Sequence, residues 1–271
     1  MAERVRGLKR NVAGVLVDAT TYALAVEDII DAAKSRRPLA VSALAVHGVM
    51  TGVQDPSHRF RLNHLDLVTP DGQPVRWAMN LLHGTRLKER VYGPTLTGKV
   101  LERAAADGVP VYFYGSTPET LAALAERLPM KYPGIIVAGM SPSKFRRTTA
   151  DEKDAIAAEI VASGARIVFV GLGCPRQEVF VYEYRDAIGV PLLAVGAAFD
   201  YHAGLLKEPP AWMQRVGLQW LYRLAQDPRR LWRRYLLLNP EYVVRVLAQR
   251  LGLWRPDPDS AVPPAEEVLY G

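Results

Sequence analysis

The chain has one cysteine, Cys174, among 271 residues. That excludes an internal disulfide and fits a reducing compartment. The expected role of Cys174 is a small side chain filling a tight loop, with use as a nucleophile the alternative. The five histidines, His47, His58, His64, His83 and His202, form no HExxH or other metal-ligand spacing, so no metal is expected. No DxD-type acidic pair occurs in the body of the chain; Asp257 and Asp259 match that spacing but lie in the tail. No apolar run has the charge-free length of a membrane span. The basic N-terminus MAERVRGLKR precedes an apolar stretch broken by Asp18 and Glu27, so no secretory signal is expected. The complete GxGxxG and GxxxxGK(S/T) patterns are missing, so neither a dinucleotide fingerprint nor a P-loop is indicated. Without zinc spacing or a nucleic-acid module, nucleic acid is not an expected partner.

What is present is a large apolar fraction, 49%, and a net charge of +6. The first supports a sizeable core. The second points to an anionic partner. Val12 to Val17 reads as a strand, and Thr20 or Thr21 as the cap of a helix reaching Ala33. Leu39 to Val46 and Leu65 to Val68 read as strands, and Pro74 to Leu82 and Gly98 to Ala106 as helices. Pro110 to Tyr114 is a strand stopped by Gly115. Thr117-Pro118-Glu119 starts a helix with a cap, a first-turn proline and an acid. Ile135 to Ala138 is a strand, and Thr149 to Ser163 a helix ended by Gly164. This alternation predicts an α/β domain with a mostly parallel sheet and helices on both faces.

Ala165 to Gly204 organises the chain. Ile167 to Val170 suits a buried strand and ends in Gly171, Gly173 and Pro175. Pro175 to Ile188 reads as a helix with proline at its start and Gly189 at its stop. Pro191 to Val195 is a second strand, running into Gly196 and Asp200. Two glycine-bearing loops thus reach the C-terminal edge of the sheet, where open α/β sheets bind ligands. GLG alone often serves geometry only; the string GLGCPRQE followed by VGAAFDYHAG is far more specific.

After Gly204 the strand signals stop. Pro209 to Leu253 combines Trp212, Trp220 and Trp232 with Arg215, Arg223, Arg229, Arg230, Arg233, Arg234, Arg245 and Arg250. Pro228 and Pro240 divide it into short helices. Basic amphipathic helices suit a membrane surface or an anionic ligand; the plainer reading is a helical cap with solvated arginines. From Arg255 the tail RPDPDSAVPPAEEVLYG is proline-rich and polar, and disorder is expected. Asp71, in TPDG, follows a strand on the ligand edge. It reads as a general base for a hydroxyl, or as an ordinary turn residue.

TPDG, VYFYGS, VGLGCPRQE, VGAAFDYHAG and PPAWMQRVGLQWLYRLAQDPRRLWRRY occur in an order that resembles the WecG/TagA/CpsF glycosyltransferases, glycosyltransferase family 26. The resemblance spans Val12 to Leu247. It implies a Rossmann-like α/β fold of the GT-E type with a C-terminal helical appendage. It also implies an inverting, metal-independent transfer, with no cofactor, from a UDP-sugar of the N-acetylmannosamine type to a polyprenyl-diphosphate-linked sugar. Asp71 matches the proposed base, and Ser42 a hydroxyl residue on the acceptor side. Gly115, Gly171, Gly173, Pro175, Gln177, Glu178, Gly196 and Asp200 match the donor site. Arg223, Arg230 and Arg233 match the arginines suggested to hold the acceptor diphosphate at the membrane.

The implied organisation is a catalytic, UDP-sugar-binding domain over 1–204, a membrane- and acceptor-binding appendage over 205–254 and a disordered tail over 255–271. The implied location is cytoplasmic, peripheral on the anionic inner membrane face, with self-association left open. This chain departs from the family pattern at three places. Leu44 stands where the Thr-x-Asn motif has asparagine, Thr95 replaces an acid, and Gln219 replaces the glutamate of GLEW. The first two leave the sugar open, and two other readings stand beside the transferase. One is a catalytically silent, membrane-docked nucleotide-binding protein; the other is a soluble α/β nucleotide-dependent enzyme.

Overall fold

The computed structural model describes residues 8–271 and, of these, the side chains of all but Ala211, Arg215, Arg230, Arg233 and Arg234. The chain opens with a hairpin rather than the single strand expected over Val12 to Val17. β1 (Lys9–Val12) and β2 (Val15–Asp18) pair antiparallel as a separate two-stranded sheet. Ala13 and Gly14 turn between them with φ of 55° and 90°. Two left-handed residues match the twist of a tight hairpin.

α1 (Tyr22–Lys34) is capped by Thr21, whose hydroxyl accepts from the Leu24 N–H. β3 (Leu39–Leu44) leads into two helices that the sequence did not signal, α2 (Val46–Gln54) and α3 (Pro56–Asn63). Asp55 separates them by accepting from the N–H groups of Ser57 and His58. β4 (Leu67–Pro70), α4 (Gln73–His83) and α5 (Gly93–Asp107) follow. Regular alternation then sets in with β5 (Val111–Gly115), α6 (Pro118–Lys131), β6 (Val137–Ser141) and α7 (Ala150–Ala162). Thr117 caps α6, and Thr149 and Glu152 cap α7 reciprocally. β7 (Ile167–Gly171), α8 (Arg176–Ile188), β8 (Pro191–Ala194) and α9 (Ala198–His202) complete the α/β part. The appendage is helical, as expected: α10 (Ala211–Arg215), α11 (Gln219–Gln226), α12 (Pro228–Arg233), a π turn Arg234–Leu238 and α13 (Asn239–Arg250).

β3 to β8 form one six-stranded parallel sheet in the order β4-β3-β8-β7-β5-β6. Alternate side chains serve opposite layers: Ile167 and Phe169 of β7 enter one core, Val168 and Val170 the other. One layer holds residues of α2, α3, α4, α7, α8 and α13; the other holds residues of α1, α5, α6 and α9. Because all six strands run the same way, their C-termini open onto one edge.

Residues 255–271 are a correction to the expected disorder. Pro256 O accepts from Asn11 Nδ2 at 2.8 Å, and Leu269 O accepts from the Thr148 N–H at 2.7 Å. The segment has no periodic pattern of its own. Its backbone groups are satisfied by partners distant in the chain, which composition does not report.

Candidate active site

A cavity of about 760 Å³ lies at the C-terminal edge of the sheet. Its floor is made by the turns after β3, β4, β5, β7 and β8. Its roof comes from α11 and from the segment between Leu231 and Asn239.

Asp71 is the first residue after β4 and lines the cavity. Its N–H donates to Leu44 O at 3.1 Å, and its Oδ2 accepts from the Gly93 N–H at 3.3 Å. Gly93 is the first residue of α5, so the carboxylate sits at a helix N-terminus, where negative charge is favoured. Gly72 and Gln73 beside it start α4.

Gly171, Gly173, Gln177, Glu178, Gly196 and Asp200 all line the cavity. A Cβ on Gly171 would meet the Phe199 ring at 2.9 Å, so that position admits only glycine without rearrangement. Gln177 joins the two glycine loops. Its Nε2 donates to Glu178 Oε1 at 2.9 Å, and its Oε1 lies 3.0 Å from where a Cβ on Gly196 would stand. Among the described groups, that buried Oε1 has no hydrogen-bond partner. Glu178 is buried. Burial pushes its carboxyl above the usual range, against hydrogen bonds from Gln177, its own N–H, Ser42 and Cys174.

Three expected site residues are not on this cavity's wall. Ser42 is fully buried, and its hydroxyl donates to Glu178 Oε1. Gly115, with φ of 107°, packs on the Gly171 backbone, where a Cβ would stand 2.8 Å from the carbonyl carbon. Its neighbours Ser116 and Thr117 reach the wall instead. Pro175 faces a second, smaller cavity on the other side of the loop. Of the three expected arginines, Arg223 on α11 lines the roof. The side chains of Arg230 and Arg233 lie outside the described residues. Burial works against the Arg223 charge, but Tyr235, Tyr201, Tyr92 and Asp71 outweigh it and hold the guanidinium above its ordinary value.

Arg90 and Tyr92 were not singled out in the sequence. Arg90 is buried on the cavity wall and donates to the side-chain oxygens of Gln219 and Gln214, the latter at 3.0 Å. It thereby ties the α/β part to the appendage. Its guanidinium lies 4.4 Å from the centre of the Tyr92 ring. Burial, Tyr201 and Asp71 push the Tyr92 hydroxyl well above its usual value, so it stays protonated. KERVYGP carries no motif that marks Arg90 or Tyr92; the departures at Thr95 and Gln219 were the nearest pointers to this region. Among the described residues, no three His, Cys, Asp or Glu side chains converge as a metal site requires.

A doubly wound parallel sheet, opening at its strand C-termini onto a polar cavity under a helical cap, places the chain among the ligand-binding α/β enzymes. Its sequence makes the class specific. The model of the glycosyl transferase WecG/TagA/CpsF family matches residues 10–256, and the chain belongs to that family. It is thus a glycosyltransferase. It is similar to the N-acetylglucosaminyldiphosphoundecaprenol N-acetyl-beta-D-mannosaminyltransferase of Bacillus spizizenii, with 35% identity over 208 residues, 75% of this chain and 77% of the relative. The protein of the same name from Bacillus subtilis is 29% identical over 198 residues, 73% of this chain and 74% of the relative.

Proposed function

We propose that the enzyme transfers an N-acetylmannosamine-type sugar from a UDP-sugar to a polyprenyl-diphosphate-linked sugar, with inversion and without a metal. The observation that carries this reading is the meeting of Asp71, from the sheet edge, with Arg223, from the appendage, in one cavity. The names of the two relatives supply the acceptor class.

In this mechanism the acceptor hydroxyl attacks the anomeric carbon from the face opposite UDP. The bond from that carbon to the diphosphate oxygen breaks, the hydroxyl proton passes to Asp71, and UDP leaves with the bonding pair. The N–H groups of the Gly171–Gly173 turn suit the donor phosphates, and Gln177 Oε1 is an acceptor for a donor N–H or hydroxyl. Arg223 and Arg90 bring the fork geometry that matches a diphosphate. Glu178 and Ser42 hold Gln177 in place from behind.

Among the described residues, no helix is long and apolar enough to cross a membrane. Trp212, Val216, Leu221, Leu236 and Leu237 of the appendage are exposed apolar side chains. They support peripheral docking on the anionic inner membrane face, beside the lipid-linked acceptor. The test is a panel of UDP-sugars offered with a synthetic prenyl-diphosphate sugar acceptor, UDP release being measured with and without acceptor. Acceptor-dependent release is expected. No release with any donor counts against the transferase reading of this cavity.

A further inference from the structure

The family match ends at residue 256, and the segment beyond it is built into the rim of the active-site cavity. Its anchor is Glu183 on α8, the helix whose first turn carries Gln177 and Glu178. The Glu183 side chain is 2% exposed; its Oε1 accepts from the Val268 N–H at 2.9 Å and its Oε2 from the Leu269 N–H at 3.0 Å. Buried Arg61 donates both to Glu183 Oε1 and to Glu266 O, each at 3.3 Å. A carboxylate that takes two consecutive backbone N–H groups fixes that backbone in one register.

From Glu183 the contacts run on to the loop between β6 and α7. The Thr148 N–H and hydroxyl both donate to Leu269 O, at 2.7 and 2.9 Å. Arg147 and Tyr270 pair as an antiparallel bridge. Ser143 is the junction with the cavity. Its hydroxyl donates to Gly271 O at 3.0 Å and accepts from the Phe145 N–H at 2.9 Å, and its own N–H donates to Ser116 O at 3.1 Å. Phe145 and Ser116 both line the active-site cavity. The same segment also lines the second cavity, of about 410 Å³, together with Thr51 and Pro175. Pro175 is bonded to Cys174, which lines the active-site cavity. The segment therefore reaches the active-site rim through Ser143 and shares the second cavity with Pro175.

We infer that residues 263–271 and their anchor Glu183 are a positioning element for the donor side of the active site, acting through Ser143 on Ser116 and Phe145. None of these strap residues touches the reacting atoms. They restrict the rim so that the donor meets it already ordered, which lowers the cost of binding. A strap that merely stabilised the fold would bond to any convenient surface. This one ends its hydrogen-bond path on two residues of the cavity wall.

The inference rests on the donor reading above, and its test is made on the full-length chain. Glu183→Gln weakens the anchor, Ser143→Ala removes the hydroxyl that bonds Gly271 and Phe145 while leaving the backbone bond to Ser116, and Ser143→Thr keeps a hydroxyl there. Four quantities are read: hydrogen exchange of residues 142–149, KM and kcat for the UDP-sugar, and the alkylation rate of Cys174 by iodoacetamide. In Glu183→Gln and Ser143→Ala, exchange of 142–149 and the Cys174 rate should rise. Donor KM should rise about fivefold, the effect of losing one hydrogen bond's worth of order, while kcat changes less than about twofold. Ser143→Thr should return exchange, donor KM and the Cys174 rate toward the parent values. Faster exchange with donor KM and Cys174 rate both unchanged overturns the inference, as does unchanged exchange. If Glu183→Gln does not fold, the Ser143 pair decides alone. A parent chain that releases no UDP sinks the donor reading instead, because exchange and alkylation need no nucleotide.

Discussion

The Ser42 hydroxyl donates to Glu178 Oε1 at 3.2 Å, across 136 positions of sequence and inside the protein. One residue belongs to a central strand and the other to the first turn of α8. The bond aims Ser42 at the back of the loop after β7 and away from the cavity. Ser42→Ala should therefore lower stability by about 1 kcal/mol and reduce kcat/KM by less than about tenfold. Thermal unfolding and steady-state kinetics measure the two. A loss above about 100-fold at unchanged stability would give Ser42 a direct part in the chemistry.

Asp71→Asn keeps the shape of the side chain and an oxygen to accept from Gly93, but removes the proposed base. Turnover should fall by about 100- to 10,000-fold with UDP affinity nearly unchanged, read by calorimetric titration. A fall below about tenfold means the hydroxyl proton goes elsewhere.

Arg223→Ala should reduce transfer to short, water-soluble acceptor analogues by about 10- to 100-fold, the range for a hydrogen bond to a charged group. Arg223→Lys should recover only part of this, since lysine lacks the planar fork. If soluble analogues react normally and only vesicle binding weakens, Arg223 serves the lipid surface and not the diphosphate.

EDTA should leave transfer intact, because the proposed chemistry draws its positive charge from arginines and backbone N–H groups. Activity lost to EDTA and restored by magnesium or manganese contradicts that mechanism.

Burial raises the Asp18 carboxyl from 3.8 to about 6, the Val68 N–H and Lys9 opposing it. The folded protein thus holds this proton at a pH where the unfolded chain has released it. Its contribution to stability is complete below about pH 4 and is lost as pH rises through about 6, a difference of about 3 kcal/mol. Asp18→Asn keeps an oxygen for the Val68 N–H and has no proton to lose. Urea unfolding across that window should show a flatter pH dependence in the variant. An unchanged slope would mean that another group sets it.

The parallel sheet and its two glycine loops were legible because buried strands, helix caps and glycine stops are local signals. Asp71 was legible for the same reason, as a carboxylate in a turn straight after a strand. The hairpin of β1 and β2 was not, since Ala13 occupies a left-handed position normally marked by asparagine or glycine. α2 carries Gly48 and Gly52, which weaken a helix signal. Both glycines serve close packing: a Cβ on Gly48 would stand 2.3 Å from Leu44, and one on Gly52 2.9 Å from Leu62 and Val15. Arg90 escaped notice because its partners, Gln214 and Gln219, lie more than 120 residues away. Gly115 and Pro175 lie in the turns after β5 and β7 that border the cavity, but neither lines it. Which side of a loop a residue faces depends on what packs behind it, and spacing does not carry that.

β8 is the last strand in the chain and lies in the middle of the sheet, between β3 and β7. Without β8, β3 with β4 and β5 with β6 and β7 would be two separate fragments, each with an edge awaiting a partner. Unpaired parallel edges of this kind are slow to close and prone to wrong partners. Residues 191–194 act as the keystone that unites them. The turn that follows carries Gly196 onto the cavity wall, so the floor of the cavity is complete only once β8 is in place.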